Sequence, residues 1–107
     1  MRVVEIFNSI DGEGIRAGLP CTFIRLFGCN LSCSYCDSSY ACVEPKNELA
    51  DRPYKVMSVD EIVSQVKYLG CLNITITGGE PLIHPGIVHL IDTLVDYGCW
   101  VNIETNG

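Results

Sequence analysis

Three cysteines, Cys29, Cys33 and Cys36, form the pattern C-x3-C-x2-C and are the residues of this chain best suited to chemistry. Three thiolates leave one metal position open, which suits a four-iron cluster whose fourth iron binds an external ligand. A closed zinc site would instead need a fourth protein ligand. The candidates for that ligand are Cys42, His84 and His89. No second C-x2-C pair lies nearby, so the spacing favours iron–sulfur, with zinc as the alternative.

Composition indicates a single folded domain over residues 1–107. Hydrophobic residues make up 48% of the chain and charged residues 19%, which argues against disorder. Seven lysines and arginines against thirteen aspartates and glutamates give a net charge of −6, which disfavours nucleic acid and favours a small metabolite as partner. Apolar runs are too short to span a membrane, and no signal peptide is visible. We therefore expect reduced thiols and a cytoplasmic location.

Apolar periodicity predicts alternating strands and helices. Residues 3–7 and 22–27 are expected to form strands joined by a glycine-rich loop, and residues 38–54 are expected to be irregular. Ser58 and Glu61 have the spacing of a capping box, which predicts a helix that ends at Gly70. Its inward residues are expected to be Val59, Ile62, Val63, Val66 and Leu69.

Residues 71–77 read as a strand with Ile74 and Ile76 facing one layer. A second helix should begin near Pro85 and end at Gly98, with a further strand over residues 99–105. Its inward residues are expected to be Ile87, Leu90, Ile91, Leu94 and Val95. This order predicts an α/β fold, a parallel sheet covered by helices.

The carboxyl ends of parallel strands share one edge of a sheet, where ligands bind. That edge should gather the cysteine loop, residues 77–80 and residues 104–107. Because the chain stops after a strand, leaving an open edge, we expect it to be truncated.

Other residues are assigned by their surroundings. Arg25 lies in an apolar strand, so it should bind either an anionic ligand or a carboxylate such as Glu5 or Glu80. His84 and His89 are interpreted as surface or helix-start residues. The remaining strand cysteines, the phenylalanines and Trp100 are expected in the core. These cysteines are Cys21, Cys71 and Cys99.

The segment G-C-N-L-x-C-x-Y-C-D over residues 28–37, followed by T-G-G-E-P-L over residues 77–82, resembles the radical S-adenosylmethionine (SAM) enzymes. Within that superfamily, E-I-F at 5–7, S-I-D-G-E-G at 9–14 and F-I-R-L at 23–26 resemble the 7-carboxy-7-deazaguanine synthase family. The resemblance covers the whole chain. It implies a partial (β/α) barrel that continues into further units.

The resemblance also implies a role for each matching residue. The three cysteines of the motif would ligate a 4Fe–4S cluster, and SAM would bind the open iron. SAM would further contact two groups of residues, Ser34, Tyr35 and Cys36, and Gly78, Gly79 and Glu80. A pterin substrate would contact Ile10, Asp11, Gly12, Glu13, Arg25 and Thr77. Ser38 stands where the family has a magnesium-binding threonine, and Asp11 stands where it favours glutamine, which puts that side-chain contact in question.

The implied activity is a radical SAM lyase reaction in queuosine and 7-deazapurine biosynthesis. A 5′-deoxyadenosyl radical would abstract hydrogen from 6-carboxy-5,6,7,8-tetrahydropterin, and ring contraction with loss of ammonia would give 7-carboxy-7-deazaguanine. Magnesium and an electron donor such as flavodoxin would be required, and a homodimer stays open. The alternatives are a glycyl-radical activating enzyme and a non-catalytic zinc or iron–sulfur module. Weak or no turnover is expected for residues 1–107 alone.

Overall fold

The computed structural model describes residues 1–12, 14–28 and 54–105. This part of the chain forms a five-stranded sheet and two α-helices, with short 3-10 helices at Gly14–Arg16 and Pro81–Ile83. The strands are β1 (Arg2–Ile10), β2 (Pro20–Leu26), β3 (Lys55–Val56), β4 (Asn73–Gly78) and β5 (Trp100–Ile103). The helices are α1 (Val59–Leu69) and α2 (Ile87–Tyr97).

The sheet is mixed, with strand order β3-β1-β2-β4-β5. Strands β2, β4 and β5 are parallel, with Ile24 beside Ile76 and Ile76 beside Ile103. This is the parallel sheet predicted from the alternation of strands and helices. Strand β1 runs antiparallel to both β2 and β3, and β3 lies beside the part of the chain for which only irregular structure was expected.

Helix α1 has the ends that its sequence predicts. The Ser58 hydroxyl accepts a hydrogen bond from the Glu61 amide at 3.1 Å, and the Glu61 carboxylate accepts from the Ser58 amide at 3.5 Å. These bonds satisfy amides that have no partner within the helix. Gly70 ends the helix with a φ of 78°, a conformation that residues with a Cβ rarely adopt.

Helix α2 ends at Gly98 as predicted, again in the left-handed region. Ile87, Leu90 and Leu94 are buried, whereas Val95 is 52% exposed, so the prediction that Val95 faces inward was wrong. Its angular position places it at the edge of the apolar stripe, past the face that contacts the sheet.

Both helices pack on one face of the sheet and enclose the core. Its buried members are Val3, Ile24, Leu26, Ile62, Val63, Val66, Ile74, Ile76, Ile87, Leu90, Leu94 and Cys99. Because side chains alternate along a strand, Thr75 and Thr77 project from the opposite face. Trp100 is 60% exposed, so its assignment to the core was wrong. Its neighbour Val101 packs against the core in its place.

The other core assignments from sequence vary in outcome. Cys21 and Cys99 are buried as expected, whereas Cys71 is only half-buried. Phe27 is buried, while Phe7 and Phe23 are half-buried and stack with ring centroids 5.4 Å apart. Across the described ranges, no helix is long and apolar enough to cross a membrane.

Candidate functional site

The described parts of the three segments predicted to meet at the carboxyl ends of β2, β4 and β5 lie together. We call this group, Gly28 with residues 77–80 and 104–105, the carboxyl rim. The Glu80 amide donates to the Gly28 carbonyl at 2.8 Å, and the Gly79 amide donates to the Leu26 carbonyl at 3.1 Å. The segment after β4 is therefore bonded to the residue immediately before Cys29.

Gly78 has a steric reason to be glycine. Its φ is 123°, and a Cβ at this position would lie 2.1 Å from the Leu26 carbonyl oxygen and 2.5 Å from the Leu26 nitrogen. No side chain can occupy that space, because real Cβ atoms do not approach backbone so closely. The close approach of β4 to β2 therefore fixes where the Gly78-Gly79-Glu80 segment leaves the sheet.

Two carboxylates of the carboxyl rim are held by threonine hydroxyls. Glu80, 2% exposed, accepts from the Thr105 hydroxyl at 2.6 Å and from the Leu82 amide at 2.9 Å. The Thr77 hydroxyl donates to Glu104 Oε2 at 2.7 Å. These short bonds fix both carboxylates at the strand ends, and a carboxylate held in this way is the group that an ammonium binds.

Arg25 forms an ion pair within the sheet. Its Nε lies 2.9 Å from Glu5 Oε1, and the two residues are paired across β1 and β2. The structural partner weighed from sequence, Glu5, is thus present. Arg25 lies one residue before the end of β2 and beside Thr77 in the parallel register, so it is also close to the carboxyl rim.

A second polar group lies towards the amino ends of the same strands, and we call it the base cluster: Asp11, Arg16, Cys21 and Thr75. All four side chains are buried. Asp11 Oδ2 accepts from the Thr75 hydroxyl at 3.1 Å and lies 3.4 Å from Arg16 Nη2. The Cys21 thiol lies 3.0 Å from the Thr75 hydroxyl. Asp11, expected to contact a substrate, is thus 1% exposed and bonded to the sheet.

His84 is 7% exposed and so is not a surface residue, but it lies just before the start of α2, where its carbonyl accepts from the Ile87 amide, as the helix-start alternative expected. His89 is exposed as expected. Burial lowers the pKa of His84 below its ordinary value of 6.5, and the positive charges of Arg2 and of the N-terminus lower it further. A hydrogen bond to the Phe27 carbonyl opposes this shift. The imidazole is therefore neutral near pH 7 and packs behind the start of the cysteine loop.

The two buried thiols of the described residues, Cys21 and Cys99, are poor metal ligands. Burial raises the pKa of Cys21 and of Cys99, which keeps both thiols protonated. Within residues 1–12, 14–28 and 54–105, no three histidine, cysteine or acidic side chains are grouped as a metal site. Several predicted site residues lie outside the described residues. They are Glu13, Cys29, Cys33, Ser34, Tyr35, Cys36 and Ser38.

A family model of the radical SAM superfamily matches residues 23–107. The chain belongs to this superfamily. The match includes the C-x3-C-x2-C motif and the whole carboxyl rim. A radical SAM protein uses a 4Fe–4S cluster and SAM, so the iron–sulfur interpretation of the cysteines prevails over zinc.

Curated relatives extend the comparison. The 7-carboxy-7-deazaguanine synthase of Clostridium acetobutylicum is 49% identical over 107 residues, covering 99% of this chain and 46% of that protein. The enzyme of the same name from Neisseria meningitidis is 41% identical over 106 residues, covering 99% of this chain and 45% of its own. The resemblance seen in the motifs is confirmed, and the glycyl-radical activating enzyme is not favoured.

A solved structure gives the same result for the fold. The crystal structure of QueE from Escherichia coli superposes with a TM-score of 0.83 at 28% sequence identity, covering 99% of this chain and 52% of that one. The predicted radical SAM type of α/β fold is thereby confirmed. The chain spans about half the length of the curated relatives it matches.

The residues of this radical SAM chain fit the cofactors of its superfamily. Three thiolates suit a four-iron cluster with one open iron, because each ligated iron needs one sulfur from the protein. Gly28, the residue before the first of these cysteines in sequence, accepts from the Glu80 amide and so lies at the same edge as the Gly78-Gly79-Glu80 segment.

Two residues with structural roles at this site were missed from the sequence. Arg16 lies within the glycine-rich loop between β1 and β2, and its immediate neighbours in sequence do not signal a buried ion pair. His84 precedes Pro85 at a helix start, where exposure is common. The sequence signal for burial of Arg16 is weak. Its two neighbours, Ile15 and Ala17, are apolar, but Ile15 is itself 93% exposed.

Proposed function

We propose that this protein acts as a 7-carboxy-7-deazaguanine synthase, converting 6-carboxy-5,6,7,8-tetrahydropterin to 7-carboxy-7-deazaguanine in queuosine and 7-deazapurine biosynthesis. The observation that carries the proposal is the bond between the Glu80 amide and the carbonyl of Gly28, the residue that precedes Cys29 in sequence. The name of the activity comes from the relatives that match the chain almost end to end.

For the cofactors, we assign the cluster ligands to Cys29, Cys33 and Cys36. When bound, the cluster and SAM supply the radical that removes a hydrogen atom from the substrate. Glu80 would accept from the SAM ammonium, and Gly78 and Gly79 would let the backbone approach it. The buried position of Glu80 and its bonds to Thr105 and to the Leu82 amide support this role. Ser34 and Tyr35 would contact the adenine of SAM, as the resemblance implies.

For the substrate, we assign contacts to residues 10–13, to Arg25 and to Thr77. The substrate carries a carboxylate, and Arg25 is the cationic residue of β2, one residue before the carboxyl end of that strand. Its pairing with Glu5 means that the substrate carboxylate would share the guanidinium, whose five donors allow this. Ile10 and Gly12 are exposed and support a contact surface.

The remaining assignments concern auxiliary partners. We further assign a magnesium ion to the Ser38 hydroxyl. The proposal also includes an electron donor such as flavodoxin, a cytoplasmic location and a homodimer. Serine keeps the hydroxyl that the family's threonine uses, so oxygen ligation of magnesium is chemically retained. Rates of Ser38→Ala and Ser38→Thr across magnesium concentrations test that ligand.

The decisive experiment is anaerobic reconstitution followed by a SAM-dependent assay of ring contraction, with the product identified by mass spectrometry. We expect four irons and four sulfides per chain, since three thiolates hold such a cluster. The Cys33→Ser variant should lose the cluster, while the matched Cys42→Ser variant should keep it. The protein should be the full product of its gene, because residues 1–107 span about half of each relative. A colourless protein carrying one zinc and no sulfide would refute the proposal.

A further inference from the structure

Arg16 joins three parts of the chain that are distant in sequence. Its Nη1 donates to the Trp100 carbonyl at 2.8 Å, and its Nη2 donates to the Ile74 carbonyl at 2.8 Å and to the Thr75 hydroxyl at 2.9 Å. The same Nη2 lies 3.4 Å from Asp11 Oδ2. The guanidinium thus connects the loop after β1 to the amino ends of β4 and β5.

Burial of both charges makes each dependent on the other. Arg16 is 4% exposed and Asp11 is 1% exposed. A buried charge that loses its partner is strongly destabilising, because it keeps the cost of leaving water without the compensating attraction. The carboxylate is further fixed by the Thr75 hydroxyl at 3.1 Å. Its position is therefore set by β4 and by Arg16.

Asp11 also closes its own loop through the backbone. The Asp11 amide donates to the Leu19 carbonyl at 2.9 Å, and the Gly18 amide donates to the Asp11 carbonyl at 2.7 Å. Asp11 is therefore bonded through its backbone to the end of the loop and through its side chain to the sheet. Its neighbours behave differently, since Ile10 is 64% exposed and Gly12 is exposed.

We propose that Arg16 is a positioning residue for substrate binding: with Asp11 it fixes the described part of the loop, residues 10–12 and 14–19, against β4 and β5, so that Ile10 and Gly12, and not the Asp11 carboxylate, contact the substrate. This inference rests on the proposed function, which assigns residues 10–13 to a pterin. It explains why position 11 is an aspartate, where the family that this chain resembles favours glutamine. The negative charge of Asp11 pairs with Arg16, and the exposed residues on either side, Ile10 and Gly12, contact the ligand.

The test compares Arg16→Met with wild type and with Lys67→Met, which removes an exposed lysine that contacts the Tyr97 ring on the helical side. In Arg16→Met, hydrogen exchange of the Asp11 and Gly18 amides should accelerate at least about tenfold, because the loop loses its anchor. KM for the pterin should rise about tenfold or more while kcat changes by less than about threefold, since misplacement weakens binding of the substrate. Lys67→Met should match wild type in every measurement.

A second substitution separates positioning from direct contact. In Arg16→Met with Asp11→Asn, no uncompensated carboxylate stays buried, so KM should fall at least about threefold relative to Arg16→Met alone. If the Asp11 carboxylate itself bound the pterin, the double variant would be worse than the single one, which would overturn the inference. Should Arg16→Met fail to fold, Arg16→Lys keeps the charge but loses the fork, and an intermediate rise in KM is expected.

The readouts distinguish the two hypotheses. Unchanged amide exchange in Arg16→Met overturns the positioning role whatever the substrate is. Faster exchange with an unchanged KM also overturns it, since the pair would then be purely structural. A wild-type protein that neither binds nor converts the pterin refutes the proposed function, and the exchange data still decide whether Arg16 fixes the loop.

Discussion

The carboxyl rim and the base cluster lie at opposite ends of the same parallel strands and are built differently. In the carboxyl rim, threonine hydroxyls bond to the carboxylates of Glu80 and Glu104, and backbone segments approach closely at Gly78. In the base cluster, a buried guanidinium contacts a carboxylate, a hydroxyl and two carbonyls. The carboxyl rim places polar atoms on loops at the strand ends. The base cluster connects neighbouring strands to each other and to the loop after β1.

This difference separates binding from support. Thr75 and Thr77 lie two residues apart on one face of β4, so each belongs to one of the two groups. Changes in the base cluster should therefore act mainly on stability and loop position. Changes in the carboxyl rim should act mainly on ligands, except where backbone geometry is involved.

The largest effect is expected from Gly78→Ala, which tests whether backbone approach sets the geometry of the carboxyl rim. The added methyl would lie 2.1 Å from the Leu26 carbonyl oxygen, so β2 and β4 must separate. We expect a loss of at least about 3 kcal/mol in the free energy of unfolding, measured by urea denaturation. Gly12→Ala is the matched control, since a Cβ there meets nothing within 4 Å, and it should cost less than about 1 kcal/mol. Equal losses in both variants would contradict this account.

Thr75→Val should produce the next largest effect, a decrease in the free energy of unfolding. The side chain is 0% exposed, and its hydroxyl bonds to both charges of the buried pair. Valine keeps the shape but removes those bonds, so we expect about 2 kcal/mol lower stability. SAM affinity, measured by equilibrium dialysis of the reconstituted protein, should change less than about twofold. A loss of SAM affinity larger than the loss of stability would show that the two groups are not separate.

Thr77→Val is the counterpart on the same strand. Its hydroxyl donates to Glu104 at the carboxyl rim, where the group is less deeply enclosed. We expect a stability loss of about 1 kcal/mol and a rise in the pterin KM of about fivefold. Thermal denaturation and steady-state kinetics on both threonine variants check the pair together. An unchanged pterin KM in Thr77→Val would contradict the role assigned to the carboxyl rim, whereas a KM rise in Thr75→Val is expected only together with faster exchange of the Asp11 amide.

Local signals predicted those parts of the fold that depend on neighbours in sequence. The capping box at Ser58 and Glu61 and the terminal glycines Gly70 and Gly98 each act within one turn of a helix, so pattern alone located both helices. The antiparallel pairing of β1 and the two-residue strand β3 depend on partners far along the chain. No local periodicity encodes such pairings.

The same division holds at the candidate site. Residues 77–80 were predicted to meet the start of the cysteine loop because the carboxyl ends of parallel strands share an edge. The base cluster was not predicted, since the hydrogen bonds of Arg16 to β4 and β5 join residues up to 84 positions apart in sequence. Asp11 is only five residues from Arg16, but nothing in the sequence shows that the two side chains are buried together against β4. The prediction that Trp100 lies in the core was wrong for a related reason. A single aromatic residue in a strand does not show which face of that strand is covered by helices.

The smallest predicted effect concerns His84. Its protonation should destabilise the carboxyl rim at a higher pH than the base cluster. Burial lowers the pKa of His84 in the folded state below the ordinary value of 6.5, so the unfolded chain takes up the proton first as the pH falls. The stabilisation is complete above about pH 6.5 and is lost as the pH decreases towards the folded pKa.

Amide exchange can locate that loss within the molecule, since His84 packs behind Phe27 and the start of the cysteine loop. Between pH 6.5 and 5, the Glu80 amide at the carboxyl rim should lose protection, after correction for intrinsic exchange, before the Gly18 amide at the base cluster does. His84→Gln should remove this difference, whereas His89→Gln, at an exposed position, should leave it unchanged. Equal loss of protection at both amides would mean that protonation of His84 opens the whole sheet and not one end of it.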